Sequence, residues 1–275
     1  MRPSLILRGA AEYLERHGVE SSVATAEILL AEVLGADRAT LYVREEGLTT
    51  SEAKAFGRML CRRCTGTPVQ HLTGIQAFGR LTLEVRPGVF VPRPETEVLA
   101  ELALDVMSED EEPIVVDVCT GSGAVALAIA ERRPDATVFA TDVSPAACEL
   151  ARANASRLGL TVEVHQGSLL DPIPSELRGR VDLVVGNPPY LERDEGLPPE
   201  VLADPPEALF GGSELPASLL RAAADWLRPG GAVAVEMAPD QAQFLRAAAG
   251  SAGFEEVVVH PDLTGRDRVL IGRLP

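Results

Sequence analysis

The chain has 275 residues, with 25 Lys+Arg against 41 Asp+Glu and a formal net charge of −16; 46% of residues are hydrophobic and 24% charged. That mix suits one large domain or two modest ones and excludes wholesale disorder. No apolar run reaches the ~18–20 residues of a membrane span, and Met1–Arg8 lacks a long apolar core, so a cytoplasmic protein without a membrane partner is expected. Residues 1–72 are neutral, with nine basic and nine acidic side chains, so the whole acidic excess lies in the remainder. A body of that charge repels a polyanion at range, which argues against a stable nucleic-acid partner. Four cysteines are too few for a disulfide framework. Cys61-Arg62-Arg63-Cys64 lacks the second pair of a metal site and reads as structural, and no metal is expected.

In chain order, the first ~65 residues read as helical. Leu7, Ala10, Ala11 and Leu14, then Ala26, Leu29, Leu30, Val33 and Leu34, recur at helical spacing, with Gly18 and Gly35 as stops and Ser21, Ser22 or Thr25 as N-cap candidates. A third helix is predicted from Thr50 or Ser51 to about Cys64, completing a small bundle. Ala77–Arg80 followed by Leu81, Leu83 and Val85 predicts a β-hairpin connector, with Pro87-Gly88 supplying a turn. A helix after Pro94 runs into the acidic segment 108–112, read as a solvated loop.

From Pro113 strands and helices alternate. Strands are expected at Ile114–Val118, Thr137–Thr141, Val162–His165, Val181–Val185 and Ala232–Glu236. Helices are expected at Ala124–Glu131, Pro145–Leu158, Pro216–Leu227 and Gln241–Ala249. Two last strands, near Glu255–Val259 and Arg268–Ile271, would add an antiparallel edge. The fold class predicted is α/β, a doubly wound parallel sheet. The division expected is a helical domain at 1–73, the hairpin linker at 74–93 and the α/β domain at 94–275.

Two constellations carry chemistry. Asp117-Val118-Cys119-Thr120-Gly121-Ser122-Gly123 closes the first sheet strand, where glycines let backbone approach a ligand. Asp142 closes the next strand, where a carboxylate can accept both hydroxyls of a ribose. A nicotinamide dinucleotide makes the same demands, so this pair alone does not name the cofactor. Asn187-Pro188-Pro189-Tyr190 directly follows the fourth strand. The prolines hold the backbone extended, and an Asn side-chain carbonyl beside a proline carbonyl accepts two hydrogen bonds, which suits an –NH₂ group. Tyr190 adds a ring to pack over a planar amide or base.

With these motifs the sequence resembles Rossmann-like, S-adenosylmethionine-dependent methyltransferases that act on planar or amide nitrogens. Within them it resembles the HemK-type release-factor glutamine methyltransferases. The likeness extends through Pro68–Gly74, Phe90–Glu97, Pro206–Gly212 and Asp262–Arg268, and Arg93-Pro94-Glu95-Thr96-Glu97 is its most discriminating segment. The resemblance implies that Asp117, Cys119, Thr120, Gly121, Ser122 and Gly123 surround the methionine end of S-adenosylmethionine, and that Asp142 holds its ribose. It implies that Phe90 and Arg93 close over the cofactor, with Leu169 near the adenine and Asn187 beside the cofactor. Asn187 and the Pro188 carbonyl would grip the glutamine amide of a Gly-Gly-Gln loop in a peptide-chain release factor, with Pro189 and Tyr190 packing against it. The neutral helical domain would dock that protein.

The chain departs from the family at Cys119, where many relatives carry glycine, at Leu169, where some carry an aromatic, and at Glu236-Met237-Ala238, which lacks a glycine often found there. Other readings are methylation of a ribosomal-protein glutamine, adenine methylation of nucleic acid, and a nucleotide-binding scaffold without chemistry. The nucleic-acid reading predicts a basic face, and the scaffold reading is disfavoured by the intact Asn187–Tyr190 motif.

Overall fold

In a computed structural model, residues 2–107, 112–193 and 196–275 are described, and the chain divides into two compact units. The acidic loop expected at 108–112 lies outside the described residues except for Glu112. One unit comprises residues 1–75 with Leu197–Ala203; the other comprises 76–196 with Asp204–Pro275.

The first unit is helical: α1 (Pro3–Arg16), α2 (Ser22–Leu34), α3 (Arg38–Val43), α4 (Thr50–Cys64) and α5 (Val69–Thr73). Leu7, Leu14, Leu29, Leu30, Leu41 and Phe56 are buried together at its centre. Gly35 ends α2 in the left-handed conformation, as a helix stop should, whereas Ser21 precedes α2 without capping it through its side chain. The Thr49 and Glu52 side chains cap α4 reciprocally. The periodicity missed α3 and α5, which are too short to establish a helical repeat.

In the second unit, β1 (Ile75–Phe78) and β2 (Leu81–Glu84) form a two-stranded ribbon. The ribbon turns at Gly79-Arg80, and Pro87-Gly88 forms a separate turn beyond it, correcting the expectation. Asn154 clamps the ribbon to the sheet body: its Oδ1 accepts from the Glu84 backbone N–H at 2.7 Å and its Nδ2 donates to the Glu84 carbonyl at 3.0 Å. After α6 (Pro94–Val106) comes the alternation β3 (Ile114–Val118), α7 (Ala124–Arg132), β4 (Thr137–Asp142), α8 (Pro145–Leu158), β5 (Glu163–Gln166) and β6 (Val181–Gly186). The short α9 (Pro206–Leu209), then α10 (Glu214–Trp226), β7 (Leu227–Glu236), α11 (Ala242–Ser251), β8 (Glu255–Pro261) and β9 (Asp267–Arg273) complete it.

The seven strands lie in the order β5-β4-β3-β6-β7-β9-β8, parallel as far as β7. The last strand enters antiparallel between β7 and β8, leaving β8 at the edge. The doubly wound α/β reading therefore holds, with an inserted antiparallel strand. The central strands are apolar on both faces because helices cover both. β7 starts at Leu227, five residues before the expected Ala232. Leu227 pairs with Val181 and Ala232 with Leu183, so Pro229-Gly230-Gly231 bulges out of the ladder, where a proline without an N–H costs no strand bond.

Candidate active site

Strand register brings the sequence motifs to one edge. Val118 lies opposite Thr141 on one side and Gly186 on the other. The loop beginning at Cys119, the carboxylate of Asp142 and the segment beginning at Asn187 thus leave the carboxyl ends of three adjacent strands side by side. That edge is where open α/β sheets bind ligands.

Near the end of β3, buried Asp117 accepts from the Thr120 hydroxyl at 2.6 Å and the Ala126 N–H at 3.1 Å, both through Oδ2. Burial nevertheless raises its pKa to about 7. Gly123 adopts φ +86°, and an added Cβ would lie 3.1 Å from the Leu127 side chain and 3.2 Å from Ala151. Glycine here provides both the turn and the close packing of α7 on α8. Cys119 and Leu169, at φ +59° and +46°, occupy the left-handed region without being glycine. Such strain costs of order 1–3 kcal/mol per residue and concentrates where a fold holds a ligand. Thr141 fixes the second position by donating its hydroxyl to the Leu169 carbonyl at 2.7 Å. Burial also pushes the Cys119 thiol pKa far up, so it stays protonated and inert as a nucleophile.

Each oxygen of Asp142 holds one backbone donor, Gly121 N–H on Oδ2 and Ser144 N–H on Oδ1, both at 2.9 Å. The Val143 N–H also favours the charged carboxylate, and of the about four acceptor positions on its two oxygens room remains for a ligand hydroxyl. The Ser122 hydroxyl is buried without a hydrogen-bond partner among the described residues. This donor set fits a ribose diol and a small polar group bound near the glycines.

Asn187 is half-buried, and its Nδ2 donates to the Thr96 hydroxyl at 3.1 Å. Among the described residues no donor reaches Asn187 Oδ1 or the Pro188 carbonyl. Both acceptors are therefore unpaired among the described residues, Asn187 half-buried and Pro188 buried. The Tyr190 hydroxyl donates to Glu236 Oε1 at 3.0 Å and receives a bond from Arg268 at 3.3 Å, while Gln241 donates to the Tyr190 carbonyl at 2.7 Å. Burial and the neighbouring Glu236 raise the phenol's pKa, so it remains a hydroxyl. The segment is held from outside by Gly211, whose added Cβ would stand 2.2 Å from the Pro189 carbonyl oxygen.

Phe90 and Arg93 precede α6, with the guanidinium 5.3 Å from the ring centroid. Arg93 also pairs with buried Asp204, which accepts the Val91 N–H as well. Sequence reasoning assigned no role to Thr96, Asp204, Glu236 or Gln241. The four are buried polar residues, a visible anomaly only once burial is known, although Thr96 lies inside the discriminating Arg93–Glu97 segment.

Comparison with known proteins follows the same division. Residues 6–74 match the PrmC N-terminal domain and residues 80–243 the Methyltransferase small domain. The chain is 44% identical to a release factor glutamine methyltransferase of Mycolicibacterium smegmatis, covering 95% of this chain and 94% of that one. It is 42% identical to a protein of the same description from Deinococcus radiodurans, with 98% and 97% covered. A solved methyltransferase from Pyrococcus furiosus shares the fold at a TM-score of 0.53 and 21% identity, over 72% of this chain and 90% of that one.

Proposed function

Because the chain belongs to the release factor glutamine methyltransferase family, we propose that it methylates the side-chain amide nitrogen of the glutamine in the Gly-Gly-Gln loop of peptide-chain release factors. The observation that carries this is the pair of open acceptors, Asn187 Oδ1 and the Pro188 carbonyl, beside the Asp142 loop. S-adenosylmethionine supplies an electrophilic methyl group on a sulfonium.

Asp142 holds the ribose through its spare acceptor positions, and the loop of Asp117, Cys119, Thr120, Gly121, Ser122 and Gly123 lines the methionine end. Leu169 borders the adenine, and Phe90 under Arg93 closes the linker side. The Asn187 Oδ1 and the Pro188 carbonyl each accept a hydrogen bond from one N–H of the substrate –NH₂. A primary amide is a poor nucleophile because its lone pair is delocalised into the carbonyl. Two acceptors on its protons return electron density to nitrogen and fix its direction, which is orientation with electrostatic assistance. Among the described residues Asn187 has no carboxylate hydrogen-bond partner, and no adjacent base is required if the nitrogen sheds its proton late. Tyr190 and Pro189 pack on the amide plane.

The charge-balanced helical unit docks the release factor, and the cytoplasm is the location this activity requires. Incubation with methyl-labelled S-adenosylmethionine and a purified release factor, a ribosomal protein or duplex DNA tests the reading. Label on the glutamine of Gly-Gly-Gln, located by peptide mass spectrometry, is expected; label on DNA or the ribosomal protein alone overturns it.

A further inference from the structure

Behind Asn187 lies a line of buried polar groups that the transfer itself does not touch. Thr96, on the first turn of α6, is 4% exposed and accepts from Asn187 Nδ2. Glu236, at the end of β7, is 2% exposed. Its Oε1 accepts the hydrogen bond of the Tyr190 hydroxyl, and its Oε2 is enclosed without a close hydrogen bond among the described residues. The Thr96 hydroxyl sits beside this carboxyl, short of a close bond, and draws its pKa down. Arg268 donates to the Tyr190 oxygen and so leaves the phenol proton to Glu236. Arg268 is itself balanced by Asp262, whose Oδ2 accepts from its Nε and Nη2.

We propose that Thr96 and Glu236 are positioning residues that decide which end of the Asn187 carboxamide faces the substrate. This rests on the reading above. A threonine hydroxyl has one proton and two lone pairs. An ionised Glu236 only accepts, so the Thr96 proton turns toward it and the Thr96 lone pair must take an N–H from Asn187. The amide oxygen then points to the ligand side, where it can accept from a substrate –NH₂. A protonated Glu236 donates instead. The Thr96 proton is released toward Asn187, the amide turns over, and its own –NH₂ meets that of the substrate, which keeps only the Pro188 carbonyl as an acceptor.

The groups facing Glu236 are Glu95 and Thr96 from α6, Tyr190 from the segment after β6, and Arg268 from β9. Burial dominates them and raises the Glu236 pKa to about 7, within the working range of a cell. Activity is therefore lost on the acid side and gained as pH rises through neutrality.

Two measurements test this. In kinetics with a release factor, Thr96→Val is expected to lower kcat about 10- to 100-fold at unchanged cofactor Kd, with Thr96→Ser restoring most of it. Glu236→Gln should give a low kcat without the acid limb, since its –NH₂ donates to Thr96 at every pH. In nuclear magnetic resonance, the ¹⁵N side-chain amide signal of Asn187, assigned by its loss in Asn187→Ala, should titrate near neutrality in the parent and not in Glu236→Gln. A Thr96→Val protein with parental kcat, or an Asn187 signal that titrates alike in Glu236→Gln, overturns the proposal. A parent that methylates no release factor defeats the reading of the substrate instead, and the resonance still decides the positioning role.

Discussion

The Pro189 carbonyl oxygen and the α-carbon of Gly211 pack so closely that a methyl group on the glycine would lie 2.2 Å from the oxygen. The contact is reinforced on either side: Leu191 N–H donates to the Leu209 carbonyl at 2.9 Å, and Gly212 N–H to the Leu191 carbonyl at 3.2 Å. The segment 206–212 is thus a backstop for the Asn187–Tyr190 segment. Gly211→Ala is expected to destabilise the fold by about 1–3 kcal/mol and to lower kcat by displacing the Pro188-Pro189 backbone. Chemical denaturation and steady-state kinetics on one preparation check both effects; parental values for both would show that the backstop yields freely.

On the proposed reading, Asn187→Ala would remove one of the two acceptors for the substrate nitrogen. A loss of about 10²–10³ in kcat is expected, with cofactor affinity nearly unchanged, because the cofactor is held from β3 and β4. Calorimetry of S-adenosylmethionine binding beside single-turnover methylation separates the two; collapse of cofactor binding would mean that the division of labour is wrong.

Asp142→Ala should behave in the opposite way. It frees the Gly121 and Ser144 N–H groups and, on the proposed reading, removes the ribose acceptors, so a cofactor affinity about 10- to 150-fold weaker is expected, from about 1.5–3 kcal/mol for bonds to a charged group. Residual kcat at saturating cofactor should stay within a few-fold of the parent, since Asn187 is untouched. An unaltered Kd would place the ribose elsewhere.

Asp117 links folding to pH. Its folded pKa of about 7 stands above the ordinary value of 3.8 because burial penalises the charge. Below pH 4 both states are protonated and nothing is lost. Between about pH 4 and 7 only the unfolded chain ionises, so stability falls by up to about 4 kcal/mol across that window. Asp117→Asn keeps an oxygen for Thr120 and Ala126 and cannot ionise. Its Tm relative to the parent is expected to climb from pH 4 to pH 7.5; a difference that does not change with pH overturns this assignment.

Asp204 is sealed from solvent and receives both Arg93 and the Val91 N–H. Burial raises its pKa even against the opposing Arg93 charge. Removing it strands a donor and a partly covered guanidinium, so Asp204→Ala should cost about 2–3 kcal/mol, measured by urea unfolding. Asp204→Asn, which still accepts from Val91, should cost less.

Much of this architecture was readable without coordinates. Apolar runs of strand length alternating with helical spacing place β3, β4, β6 and their helices to within a residue or two, because both faces of those strands are buried. The Asp117–Gly123 and Asn187–Tyr190 segments stand at strand ends, and strand register brings them together at one edge. What escaped was non-local or short. Nothing in residues 255–273 announces that β9 will pass inside β8, since either order satisfies the same alternation. Thr96 and Glu236 are 140 positions apart in sequence, and a lone threonine or glutamate is ordinary until its surroundings are known.

The place of β9 also bears on how the protein is made. Synthesis delivers β8 to the ribosome exit before β9, yet β8 touches the sheet only through β9. The nascent chain must hold β8 and α11 in waiting until β9 emerges, and Arg268, which steadies Tyr190, arrives with that same strand. The support that Arg268 gives Tyr190 is thereby complete only once β9 has been made and has paired with β7.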